Sequence, residues 1–216
     1  MTEYIRYHDG IEKDDRGRYH PVTRKELDEL VDDVNIHLGD IDVSRITDMC
    51  CLFDKETAEE RNNYTGIEMW DVSNVTDMSG MFQLAVGFNE DISRWDVSNV
   101  LDMSYMFAYN DSFNGDLSRW NTSSVKDMSC MFLRAAEFNG NISLWDVSNV
   151  VSMESMFRGA VSFAQDLSQW DVSNVEDMSA MFQGASSFTG DPRSWKNVCE
   201  KPLAEALESL AWRDKE

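Results

Sequence analysis

"WDVSNVTDMSGMFQ" occupies Trp70–Gln83, and "WDVSNVLDMSYMFA" occupies Trp95–Ala108, 25 positions later. The step continues along the chain. Trp70, Trp95, Trp120, Trp145, Trp170 and Trp195 keep it without a slip. So do Met78, Met103, Met128, Met153 and Met178, and two phenylalanine columns that begin at Phe82 and Phe88. A fixed period of this length, held by large apolar residues, marks a repeat array. One unit cannot cover its own apolar face, and stacking buries it.

The unit that begins at Ile92 serves as the template. In "ISRWDV", Ile92, Trp95 and Val97 follow the pattern L-x-x-L-x-L, and Trp95 and Val97 alternate as a short strand requires. Leu38, Ile41 and Val43 fit the same rule, as do Ile67, Trp70 and Val72 and the later units. The second half has helical spacing: Met78, Met81, Phe82 and Ala85 stand at i, i+3, i+4 and i+7. Asp77 precedes that stripe where an N-cap belongs, and its column reads Asp48, Asp102, Asp127, Ser152 and Asp177 in the other units. Serine keeps capping chemistry while dropping the charge, so these residues are read as structural caps.

The predicted fold is therefore an α/β solenoid. It is leucine-rich-repeat-like, with a parallel β-sheet, short helices on the opposite face and a capping helix at each end. Residues 1–22 form a lead segment. Residues 23–37 form an N-terminal cap helix, in which Thr23 and Glu26 make a capping box, Val22 and Leu27 a staple, and Leu27, Leu30, Val31 and Val34 an apolar stripe. Residues 38–197 hold about six coils. Pro192 and Asn197 interrupt the strand pattern around Trp195, as suits an edge. Residues 198–216 form a C-terminal cap helix with a stripe of Leu203, Ala206, Leu207 and Leu210. The first coil carries four extra residues in the polar loop "DKETAEERNNYTG".

The unit W-D-V-S-N-V-x-D-M-S-x-M-F-x-x-A-x-x-F-N-x-D-[IL]-S resembles the BspA-like leucine-rich-repeat family. It is closest to the 25-residue class known from bacterial surface proteins and mycoplasma lipoproteins, over about residues 38 to 195. The resemblance implies a leucine-rich-repeat-like fold, and binding or adhesion rather than catalysis. The "WD" dipeptide does not indicate a propeller, whose blades need about 40 residues each.

Composition narrows the function. Forty acidic against nineteen basic residues give a net charge of −21, which opposes binding to nucleic-acid phosphates or anionic lipid. No apolar run suits a signal peptide or a membrane span, so a cytoplasmic, membrane-free protein is expected. Cys50, Cys51, Cys130 and Cys199 lack metal-ligand spacing and read as reduced thiols. His8, His20 and His37 all precede the repeats, so no Ser–His or Cys–His pair can be built within them. An enzymatic site around His8, Asp9 and His20 has no spacing logic behind it. Ten of the thirteen methionines fall in two columns of the helical stripe, which core packing explains better than metal binding. No enzyme and no cofactor are expected.

If Trp95 and Val97 point inward, Arg94, Asp96 and Ser98 point outward. The Asp column runs Asp42, Asp71, Asp96, Asn121, Asp146 and Asp171, beside Ser44, Ser73, Ser98 and Ser123. Neighbouring carboxylates on strands about 4.8 Å apart repel by roughly 1 kcal/mol in a water-like dielectric. An Asx turn in "DVSN" would offset this locally, and Asn121 fits that reading. A basic partner would offset it too. The expected partner-binding residues are Arg94, Asp96, Ser98, Asp71, Ser73, Arg119, Asn121, Asp146 and Asp171. The array is expected to be a monomeric, non-enzymatic protein-binding module for a protein partner of basic character. The alternative is structural calcium binding along the Asp ladder.

Overall fold

A computed structural model describes residues 10–54, 61–195 and 198–211. His8, Asp9 and Asn197 lie outside the described residues, as does the first half of the loop after Asp54, residues 55–60.

The inter-coil backbone bonds run where the helical spacing was read. Met78 N–H donates to Asp102 O at 3.0 Å, Gly80 to Ser104 at 2.7 Å, Phe82 to Met106 at 2.9 Å and Leu84 to Ala108 at 2.9 Å. The same rungs recur from Met103 to Asp127, from Met128 to Ser152 and from Met153 to Asp177. Isolated parallel bridges run down the Asp48, Asp77, Asp102, Asp127, Ser152, Asp177 column. Successive 25-residue coils are thus stacked in register.

This corrects the predicted fold class. Among the described residues there is no β-strand and no sheet, and the two α-helices lie at the ends; the repeats hold no short α-helix. A leucine-rich-repeat-like parallel sheet is excluded. The stretch read as a strand is folded instead: Trp95 N–H returns to Ile92 O at 3.1 Å and Val100 N–H to Val97 O at 3.0 Å, so i and i+3 close turns. The equivalent stretches Leu38–Asp40, Ile67–Met69 and Pro192–Ser194 are single 3-10 turns. The stretch read as a helix cannot continue as one, because its third residue is left-handed. Cys51, Gly80, Tyr105, Cys130, Ser155 and Ala180 have φ between 53° and 61°, and Leu84, Tyr109 and Arg134, four residues further on in their coils, have φ of 55–57°. Each left-handed residue turns its neighbours' N–H groups along the stack axis instead of back to the i−4 carbonyl.

The core is a set of columns. The tryptophans of the Trp70–Trp195 column are 2–6 % exposed, and Met78, Met81, Phe82, Ala85 and Phe88 are fully buried, with their equivalents. Within a coil the two phenylalanine rings stack at 3.8–4.1 Å between centroids. Between coils the Phe53, Phe82, Phe107, Phe132, Phe157, Phe182 column repeats at 5.6–5.8 Å. Each tryptophan Nε1–H donates to a carbonyl of the preceding coil, from Trp70 to Leu38 O at 2.8 Å through Trp195 to Leu167 O at 2.8 Å. One side chain therefore fills the core and ties two coils together.

Side chains close the two ends. Helix α1 (Arg24–Asp32) has the Thr23–Glu26 capping box and buries Leu27, Leu30 and Val31, whereas Val22 and Val34 are more than half exposed. Arg61, 6 % exposed, reaches back to its last turn and donates to Val31 O, Asp33 O and Ile36 O. It satisfies carbonyls that a helix end leaves open. Ahead of α1, Tyr19 pairs in parallel with Ile41 and docks the lead segment on the first coil. At the other end, α2 (Glu200–Glu208) supplies acceptors in place of a further coil: Glu205 Oε2 for Met178 N–H and Ser209 Oγ for Phe182 N–H, both at 3.1 Å.

Two residues stand against the pattern. The Ala85, Ala135, Ala160, Ala185 column holds Asn110 in one coil, fully buried, with neither amide atom hydrogen-bonded. Thr122, the polar member of a valine column, donates to Asp146 O at 2.8 Å and is satisfied. Asn110→Ala is expected to raise stability by about 1–3 kcal/mol, the desolvation cost of an unpaired buried amide, as measured by urea unfolding. Ala180→Gly is expected to add about 1 kcal/mol by relieving the left-handed backbone, read as a higher melting temperature.

Candidate functional site

Every coil turns a corner at the tryptophan, and the corners of successive coils line one edge. On one side of each corner the Asp71 column makes Asx turns. Asp71 Oδ1 accepts from Ser73 N–H at 3.1 Å and Ser73 Oγ at 2.6 Å, and Asp146 accepts likewise from Ser148 at 3.0 and 2.6 Å. Asp96 and Asp171 accept from Ser98 and Ser173 N–H at 3.1 Å, and Asn121 keeps both bonds with Ser123. On the other side runs a second column that the sequence reading passed over. Asp91, Asp116, Asn141, Asp166 and Asp191 each accept from the N–H two residues on, at 2.9–3.1 Å. Its signal was the D-[IL]-S of the repeat, which has the same Asx-x-Ser order as D-V-S.

The two columns form parallel acidic rails. Their side chains are exposed, and one carboxylate oxygen of each is committed to its own turn. Hydrogen bonds from Ser98 and Ser148 hold Asp96 and Asp146 below the ordinary carboxylate value, and those from Ser93 and Ser118 do the same for Asp91 and Asp116. Asp166 is lowered by Ser168 in the same way. These five carboxylates are therefore charged at neutral pH, and the Asx turns set the geometry of the rails before any partner arrives.

Between the rails stands an exposed column: Met69, Arg94, Arg119, Leu144, Gln169 and Ser194. Met69 is 74 % and Leu144 83 % exposed. Arg94 and Arg119 are exposed and make no ion pair within 4 Å among the described residues. The structure thus brings Arg94, Asp96, Ser98, Asp71, Ser73, Arg119, Asn121, Asp146 and Asp171 to one edge, on turns rather than on a sheet. The coils are also sewn together here. Asn74, Asn99, Asn149 and Asn174 donate their Nδ2–H to Ser44, Ser73, Ser123 and Ser148 carbonyls at 2.7–2.9 Å, and Ser124 Oγ replaces the amide in the remaining coil.

Asp42, first of its column, differs from the rest. Its Oδ2 lies 3.1 Å from His20 Nδ1, so the lead segment covers that end of the rail. The column read as caps lies elsewhere on the coil. Asp48, Asp77, Asp102, Asp127 and Asp177 accept from the N–H two residues on at 2.8–2.9 Å, and Ser152 accepts from Glu154 N–H at 3.4 Å. The bond is the one a cap makes, but it closes a turn and no helix follows.

Among the described residues no three His, Cys, Asp or Glu side chains are grouped to hold a metal ion. No helix there is long and apolar enough to cross a membrane. A cavity of about 380 Å³ between the last coil and α2 is lined by Ser179, Ala180, Gln183, Glu205, Glu208 and Ser209.

Two overlapping segments, residues 25–136 and 110–208, match the family model described as "Mycoplasma protein of unknown function, DUF285". The matches span most of the chain, which belongs to this repeat family. No curated protein and no solved structure matches it.

The rails predict an acid-side dependence of stability. Folded-state values for Asp91, Asp96, Asp116 and Asp146 lie below the ordinary 3.8, so the unfolded chain takes up these protons first. Their contribution is present above that pH and is lost as pH falls through the folded values. With Asp96 and Asp146 changed to Asn, the melting temperature should decline less steeply below pH 4. At pH 7 the variant should stay within about 0.5 kcal/mol of the native chain.

Proposed function

We propose that this protein is a non-enzymatic protein-binding module whose partner is an extended, basic segment lying along the two acidic rails. The observation that carries this reading is the exposed column Met69, Arg94, Arg119, Leu144, Gln169 and Ser194. It varies from coil to coil while the Asx turns on either side repeat. A framework that repeats while its tips differ displays a specific surface. Fixed carboxylates attract lysine and arginine side chains, steer the encounter and cost no reorganisation on binding. The gaps at Asn121 and Asn141 and the positive tips Arg94 and Arg119 would set the register of the partner's charges. Leu144 and Met69 offer apolar contact between them. The resemblance of the repeat to BspA-like sequences, which implies binding or adhesion, supports the same reading. The calcium alternative draws no comparable support, because no grouping of three ligand side chains accompanies the rails.

The test is binding to an array of arginine- and lysine-rich peptides at two salt concentrations. The comparison chain has Asp71, Asp96, Asp146 and Asp171 changed to Asn, which keeps the turn bonds and removes the charge. The native chain should bind a subset of the array, more weakly at high salt, and the variant at least tenfold more weakly. Leu144→Ala should change which peptides bind. Equal binding by native chain and variant, or binding of every peptide in proportion to its charge alone, would overturn the assignment.

A further inference from the structure

Cys50 and Cys51 are adjacent in the first coil, and their Sγ atoms stand 3.4 Å apart. Both are free, half-buried thiols. Consecutive side chains on an extended segment point to opposite faces, but Cys51 is left-handed, with φ of 55°, and here the two converge. The backbone beneath them is held: Cys50 N–H donates to Asp48 Oδ1 at 2.9 Å and Cys51 N–H to Ser79 O at 2.8 Å.

The next coil leaves room beside this pair. Cys51 is followed in its column by Gly80, and a Cβ there would lie 3.0 Å from Cys51 Sγ. The remaining members are Tyr105, Cys130, Ser155 and Ala180, all of which carry a Cβ at the same left-handed φ. The backbone therefore does not require glycine at 80. Glycine there keeps the space next to the sulfur open.

The bite of the pair selects its ligand. Two sulfurs 3.4 Å apart, each about 2.3 Å from a shared soft centre, subtend an angle of about 95°. A linear two-coordinate ion would need sulfurs about 4.6 Å apart at the same bond length. The narrow angle suits a pyramidal three-coordinate centre that carries a lone pair.

We propose that Cys50 and Cys51 form a dithiol clamp for a pyramidal thiophilic centre, of which a trivalent organoarsenical is the chemical type. The step balances without any oxidant. Both S–H protons pass to the arsenic-bound oxygen, two As–S bonds replace its bonds to arsenic, and one water leaves. Burial, the Cys50 sulfur and the Asp54 charge push the Cys51 thiol up to about 12. Cys51 thus rests as a thiol, and the acceptor's own oxygen takes the protons.

Phenylarsine oxide is the probe, with intact-mass spectrometry of the full chain in a Cys130→Ser, Cys199→Ser background. One phenylarsenic per chain should add, resist excess glutathione and come off with a dithiol. Cys50→Ser and Cys51→Ser should each weaken retention at least tenfold. Gly80→Ala keeps both thiols and places in the column a residue already present at Ala180; it should weaken retention at least tenfold while the chain stays folded. The urea-unfolded chain should also bind at least tenfold more weakly. No adduct on the native chain, or retention by Gly80→Ala and by unfolded chain equal to native, would overturn the proposal. Those two comparisons decide it even where the serine variants do not fold.

Discussion

The structure depends on one backbone constraint: in each coil from Met78 onward that has another stacked after it, alternate N–H groups from the Met78 to the Leu84 columns must point along the stack to the next coil's carbonyls. Two left-handed residues four positions apart make that possible. An ordinary helical or extended run would aim those groups elsewhere, and the stack would keep only the single rung per coil of the Thr76, Leu101, Lys126, Val151, Glu176 column and a few bonds outside it. The conformation is costly for residues with a Cβ, about 1–2 kcal/mol each. Eight non-glycine residues among those described nevertheless adopt it, so the ladder and the core it aligns outweigh that local cost.

Everything else serves the register of the ladder. Paired phenylalanine rings stack within and between coils, and each tryptophan Nε1–H fastens its coil to the one before. Asx turns at three corners of the coil divert N–H groups into side-chain bonds, which is why those corners do not extend into strands. A stack of this kind leaves open groups at both ends. Tyr19 of the lead segment, which exchanges backbone bonds with Asp40 and Asp42 at one end, and Glu205 of α2 with Ser209 just past it at the other, supply the partners that a further coil would have given.

The same division of labour shapes the surface. Residues that hold register repeat, and residues that hold nothing vary. The proposed partner edge draws on this directly, since its rails are by-products of the turns while its tips are free to differ. The proposed thiol clamp follows the same logic from the other side. In the variable left-handed column Cys51 is followed by Gly80, and that order places two sulfurs beside an open space. Asn110 is a departure of a third kind, a polar residue in an alanine column with no partner in the structure.

Much was legible from spacing. The 25-residue period, the buried tryptophan, methionine and phenylalanine columns, the Thr23–Glu26 box and the apolar faces of the end helices all follow from which residues are large and apolar and how often they recur. Side-chain chemistry also showed that D-V-S could close on itself, because aspartate and serine two apart suit an Asx turn. Backbone handedness was not legible. Glycine marks three of the left-handed positions, Gly80, Gly159 and Gly184, but Tyr, Cys, Leu, Arg, Ser and Ala fill the others and do not signal a positive φ, so an i, i+3, i+4 pattern read as helix and L-x-x-L-x-L as strand. Only the stacked coils decide between these, because the deciding bonds join residues 24 or 25 apart. A single unit contains one half of each such bond, and its conformation is set by the neighbour that supplies the other half.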